Sequence, residues 1–117
     1  MIIRHSSVEP VCFDGLQILD YTAEIESDSS LAFIRVPPNG RHAEAWSRRS
    51  DKYYLVTAGS VRFVLEGEAS DLSAGDFCLV RKGQRFSYSN RGSEDSALVL
   101  VHTPAFRLED EVFVDRT

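Results

Sequence analysis

Two short stretches concentrate the side chains able to do chemistry. The first, RHAEAWSRRSDKYY, occupies residues 41–54, and the second, RKGQRFSYSN, occupies residues 81–90. His42 and Glu44 form an H-x-E pair, and in an extended chain alternation puts them on one face with Trp46 and Arg48. Cations gather around both stretches: Arg35, Arg41, Arg48, Arg49, Lys52 and Arg62 in one group, Arg81, Lys82, Arg85 and Arg91 in the other. Brought together in space, the two groups would make a local positive field that a small anion would feel. The chain as a whole is acidic, with net charge −5. That argues against nucleic acid as a partner, because phosphate neutralisation requires a basic face. Cys12 and Cys78 are too few for a disulfide framework and too far apart for a C-x-x-C motif, so both are expected to be buried free thiols.

The elements positioning these residues read as strands. No stretch holds the i, i+3, i+4, i+7 apolar pattern for three turns. Glycines recur every eight residues at 59, 67, 75 and 83, separating SVRFVLE, DFCLV and QRFSYSN. Short strands with regular turn signals predict an all-β sandwich or barrel. Gly67, Gly75 and Gly83 each stand where a reversal needs a positive φ. Val61, Phe63 and Leu65 share one face of their strand. SALVLV is nearly all apolar, and burial on both faces is expected. Pro37 and Pro38 end the strand LAFIRV, since neither donates a ladder hydrogen bond. ESDSS at 26–30 reads as a loop, and EDEVFVD at 109–115 as an edge strand packed on the barrel or on a partner subunit.

At 117 residues the default is one domain spanning 1–117. No apolar run reaches the ~18 residues of a membrane span. The start lacks the basic and apolar regions of a secretory signal. The expectation is a cytoplasmic protein with no membrane partner.

PPNGRHAEAWSRRSDKYYLVTAG at 37–59 and GDFCLVRKGQRFSYSN at 75–90 together resemble the two motifs of the cupin superfamily, small jelly-roll β-barrels of the RmlC-like kind, and the similarity runs over about residues 31–106. Members normally hold a divalent cation with two histidines, a glutamate and a third histidine. Counted from Gly40, Gly59 and Gly75, those positions fall on Trp46, Arg48, Lys52 and Phe86, and only Asn90 keeps its family identity. The resemblance thus implies a barrel without a metal or other cofactor. A slipped register would put His42 and Glu44 at the first two ligand positions, still with Lys52 and Phe86 opposite them. His102, on the last long strand, is a candidate third ligand in that register, though nothing in the sequence places it there.

Alternation within such a barrel gives an inward set. It comprises His42, Glu44, Trp46 and Arg48, then Lys52 and Tyr54, then Phe86, Tyr88 and Asn90, with Arg35 on the preceding strand. Arg48 and Lys52 suit a carboxylate or phosphate, Trp46, Phe86 and Tyr88 offer stacking surfaces, and Arg35 and Asn90 complete the candidate ligand set. The reading favoured on these grounds is a barrel that binds a small anionic or carbohydrate-like molecule. The alternative is a metal-independent isomerase, epimerase or lyase, with His42 or Glu44 as base and Tyr54 or Tyr88 as acid. A metal-dependent dioxygenase ranks below both. The resemblance also implies a homodimer.

Overall fold

A computed structural model describes residues 1–114; Asp115, the last residue of the EDEVFVD stretch, lies outside them. The chain forms eleven strands: β1 (Val11–Phe13), β2 (Leu16–Asp20), β3 (Ser30–Val36), β4 (Arg41–Ser47), β5 (Asp51–Ala58), β6 (Ser60–Leu65), β7 (Glu68–Ser73), β8 (Phe77–Val80), β9 (Phe86–Ser89), β10 (Ser96–Thr103) and β11 (Glu111–Phe113). They build two antiparallel sheets, ordered β1-β2-β3-β10-β5-β8 and β11-β4-β9-β6-β7. Among the described residues, two short 3-10 turns interrupt this pattern. No helix among the described residues is long and apolar enough to cross a membrane.

Alternation explains most of the packing. Ile34 and Val36 on β3, Tyr54 and Val56 on β5, Val61 and Phe63 on β6, and Leu98 and Leu100 on β10 all point between the sheets into one core. β3 stops at Val36, where Pro37 and Pro38 cannot continue the ladder. Gly59, in the tight turn between β5 and β6, is fixed by contact as well as by its φ of 67°. A Cβ there would stand 2.6 Å from Ser96 Oγ and 2.9 Å from the Asp95 carbonyl oxygen, so only glycine fits.

Three expectations need correction. Leu98 and Leu100 of SALVLV are buried, but Val99 and Val101 on the outer face are only half-buried. Cys12 is exposed on β1, and Cys78 is half-buried. The third concerns β4. His42 pairs with Tyr88 and Ala45 with Phe86, and the register shifts between them. This bulge sets two residues of β4 against one of β9 and reverses the parity of everything beyond it. Ala45 and Ser47 therefore face the core, at 0% and 2% exposure, while Trp46 and Arg48 turn outward.

Candidate functional site

Side chains between the sheets lie in layers. At one level Lys52 on β5 and His102 on β10 are register partners on one sheet, and Glu111 and Ser47 are partners on the other. Lys52 Nζ donates to Glu111 Oε1 at 2.5 Å and to His102 Nε2 at 2.8 Å. It also sits 5.4 Å from the centre of the Phe86 ring. Because Lys52 donates to Nε2, His102 accepts as a neutral imidazole. Burial, with the neighbouring Lys52 charge, lowers its pKa to about 3. Burial also lowers the Lys52 pKa, against the opposing pull of Glu111.

The adjoining layers are aromatic. The His42 ring lies 5.0 Å from Phe86 and 5.3 Å from Tyr88, centre to centre, and Phe13 and Phe113 each stand 6.0 Å away. Phe13 and Phe113 contact each other at 5.6 Å, so the edge strands β1 and β11 meet over the half-buried His42. On the far side Tyr54 packs 5.6 Å from Tyr88 and 5.8 Å from Phe86. Tyr88 and Phe86 are therefore shared neighbours of His42 and Tyr54.

Protonation in this chamber follows from geometry and burial. His42 Nδ1 is 2.7 Å from the Ala43 carbonyl oxygen, which can only accept. Nδ1 thus carries the proton, and in the neutral ring Nε2 holds the basic lone pair. Burial pushes the Tyr54 phenol well above its ordinary value, and the nearby Tyr88 and Glu111 push it further. Burial raises Tyr88 as well. Both phenols stay protonated at neutral pH. Tyr88 Oη interacts with the Tyr54 phenol without reaching hydrogen-bond geometry, and it is buried with no hydrogen-bond partner among the described residues.

The structure brings His42, Tyr54, Phe86 and Tyr88 together and places Lys52 one layer away. It separates the rest. Arg48 stacks outside the barrel, its guanidinium carbon 5.5 Å from the centre of the Trp46 ring. Arg35 is exposed on β3, lining a shallow outer cleft of about 380 Å³ with Pro10, Cys12 and Gln17. Glu44 lies in the bulge, half-buried, and makes no ion pair among the described residues. Asn90 is buried but fully used: Nδ2 donates to the Val36 and Glu94 carbonyls, and Oδ1 accepts from Gly92 N–H. It closes a turn. The positive pocket expected from Arg48 and Lys52 does not form, because the bulge turns Arg48 outward and Glu111 neutralises Lys52, and Arg35 faces outward as well.

A family metal does not fit these residues. No group of three or more His, Cys, Asp or Glu side chains able to hold an ion occurs among the described residues. His42 is ringed by aromatics, and the ammonium of Lys52, which repels a cation, stands 2.8 Å from His102 Nε2. Sequence reasoning gave no role to Glu111, Phe13 and Phe113. Alternation along EVF puts Glu111 and Phe113 on one face, which was the available signal.

A family model for the cupin domain matches residues 32–102. The chain belongs to the cupin family. Its nearly all-β architecture of two antiparallel sheets is the cupin jelly roll. Among solved structures, this cupin is similar to Pac13, a nucleoside dehydratase, with TM-score 0.84 and 24% identity over 97% of this chain and 90% of that one. The Streptomyces Pac13 has also been solved with uridine as variants changing a histidine to glutamine or either of two tyrosines to phenylalanine. A cupin sugar phosphate isomerase from Silicibacter pomeroyi is similar in fold, with TM-score 0.77 and 18% identity over 88% of this chain and 75% of that one. The endoribonuclease YbeY of Myxococcus xanthus is 32% identical over 98 residues. That match covers 82% of this cupin and only 33% of the relative, so the chain spans about a third of its length.

Proposed function

We propose that this cupin is a metal-independent lyase that removes water from a hydroxyl-bearing substrate of the nucleoside or sugar class inside the barrel. The observation that carries the reading is the pairing of His42 with Tyr88 across β4 and β9, with Tyr54 against the same ring. His42 Nε2 takes a proton from a substrate carbon, the electron pair becomes a carbon–carbon double bond, and the carbon–oxygen bond breaks. Tyr88 or Tyr54 gives its proton to the departing hydroxyl, which leaves as water. The proton on His42 then returns to the phenolate. An imidazole is too weak a base for an unactivated carbon, so the proton must lie beside a carbonyl. Supporting the reading is the likeness to a nucleoside dehydratase whose histidine and tyrosine variants hold uridine.

The test is to follow carbonyl-bearing nucleosides and sugars by proton NMR with the wild type, His42→Gln and Tyr88→Phe. Turnover in the wild type that is lost in His42→Gln, with binding retained, supports a lyase. Binding without turnover in the wild type would make the chain a binding barrel instead. Pairing of two copies is also proposed, through the outer face of the six-stranded sheet, where Leu31, Leu55 and Phe77 are 38%, 41% and 54% exposed. Sedimentation of Phe77→Ser would show a monomer if this face forms the contact.

A further inference from the structure

Among the described residues, two buried polar atoms between the sheets lack partners: Tyr88 Oη and Glu111 Oε2. Glu111 is otherwise tightly held. Its side chain is 6% exposed, and its other oxygen takes the hydrogen bond from Lys52. A buried carboxylate oxygen without a donor costs desolvation energy, so such an atom between the sheets marks where a ligand donor belongs. Tyr54 senses the charge of Glu111 and the phenol of Tyr88 together, which puts both within the electrostatic range of one ring.

The charge balance limits what that ligand is. Lys52 is compensated by Glu111, His102 is neutral, and Arg35 and Arg48 lie outside the barrel. Among the described residues no other Lys or Arg belongs to the buried set. A phosphate brought between the sheets would lose its water without gaining a counter-charge. A hydroxyl loses far less and can both donate to the carboxylate and accept from the phenol.

We propose that Glu111 Oε2, fixed in place by Lys52, accepts a hydrogen bond from a substrate hydroxyl, so that the barrel selects a neutral polyhydroxylated ligand over its phosphorylated counterpart. This rests on the proposed function and names the substrate class of the same site. Glu111 is a ligand-positioning residue here, supplied by the C-terminal strand.

Calorimetric titration with three probes tests it: uridine, 2′,3′-dideoxyuridine and uridine 5′-phosphate. The wild type should bind uridine at least about tenfold more tightly than uridine 5′-phosphate. Glu111→Gln should weaken uridine about ten- to a hundredfold, the value of a hydrogen bond to a charged group, while changing 2′,3′-dideoxyuridine less than about twofold. Equal losses for both nucleosides would show a structural role and overturn the proposal, as would tighter binding of the phosphate. Failure of the wild type to bind uridine at all would overturn the proposed function together with this inference. Should Glu111→Gln not fold, a crystal structure of the wild type with uridine decides: a ligand oxygen within about 3.2 Å of Glu111 Oε2 is expected, and none there overturns the proposal.

Discussion

The barrel interior holds two polar groupings that differ in what their partners are. Lys52, His102 and Glu111 bond to one another across the two sheets and tie β11 to β5 and β10. His42, Tyr54 and Tyr88 lean on Phe13, Phe63, Phe86 and Phe113, whose ring faces make no strong hydrogen bonds. The first grouping spends its hydrogen-bonding capacity on the fold, Glu111 Oε2 excepted. The second sets the imidazole of His42, its Nδ1 bonded to the Ala43 carbonyl, and two protonated phenols among apolar rings, the setting in which acid–base groups serve a ligand. The difference predicts that mutations in the two groupings fail differently.

The largest effect is expected at His42. Replacing a positioned general base lowers turnover by roughly 10²- to 10⁴-fold. His42→Gln should do so with a thermal midpoint near that of the wild type, checked by NMR assay and calorimetric melting. Lys52→Met should invert this pattern. Removing one partner of a buried ion pair costs about 3–5 kcal/mol, read from urea denaturation, because Glu111 is left charged and uncompensated. Lys52→Met combined with Glu111→Leu should recover much of that stability, since apolar replacement of a whole buried pair is often nearly neutral.

The pH profile sharpens the comparison. His102 has a folded pKa of about 3, against 6.5 in the unfolded chain. Between those values the unfolded state binds the extra proton, so stability rises with pH across the window. Its contribution is complete above pH 6.5 and is lost as the pH falls toward 3. The slope approaches about 1.4 kcal/mol per pH unit for one proton. His102→Gln should flatten that slope in melts recorded across the window. The smallest effect is expected outside the barrel: Arg35→Ala and Arg48→Ala should change uridine affinity by less than about twofold, because neither side chain faces the chamber.

How much of this was legible depends on the strand. On β5, β6, β9 and β10, simple alternation places Tyr54, Phe63, Phe86, Tyr88 and Leu98 inward, and the periodic glycines mark the turns between neighbouring strands. On β4 the same rule fails after His42, because one bulge residue shifts the period and no residue type announces it. Trp46 and Arg48 were therefore read on the wrong face. Lys52 points inward as alternation predicts, but Glu111, 59 residues along on β11, neutralises it. Such long-range pairing leaves no local trace. Asn90 illustrates a further gap: its backbone bonds depend on how the turn folds over Val36, which composition does not specify.

The central claim is that the His42–Tyr88–Tyr54 chamber, and not the basic segments, receives the ligand. The most direct measurement is a uridine titration followed by NMR of the His and Tyr ring protons and the Arg side chains. Saturable shifts of His42, Tyr54 and Tyr88 are expected, with Arg35 and Arg48 unmoved. Shifts confined to Arg35 and Arg48, with a silent His42 ring, would contradict that claim.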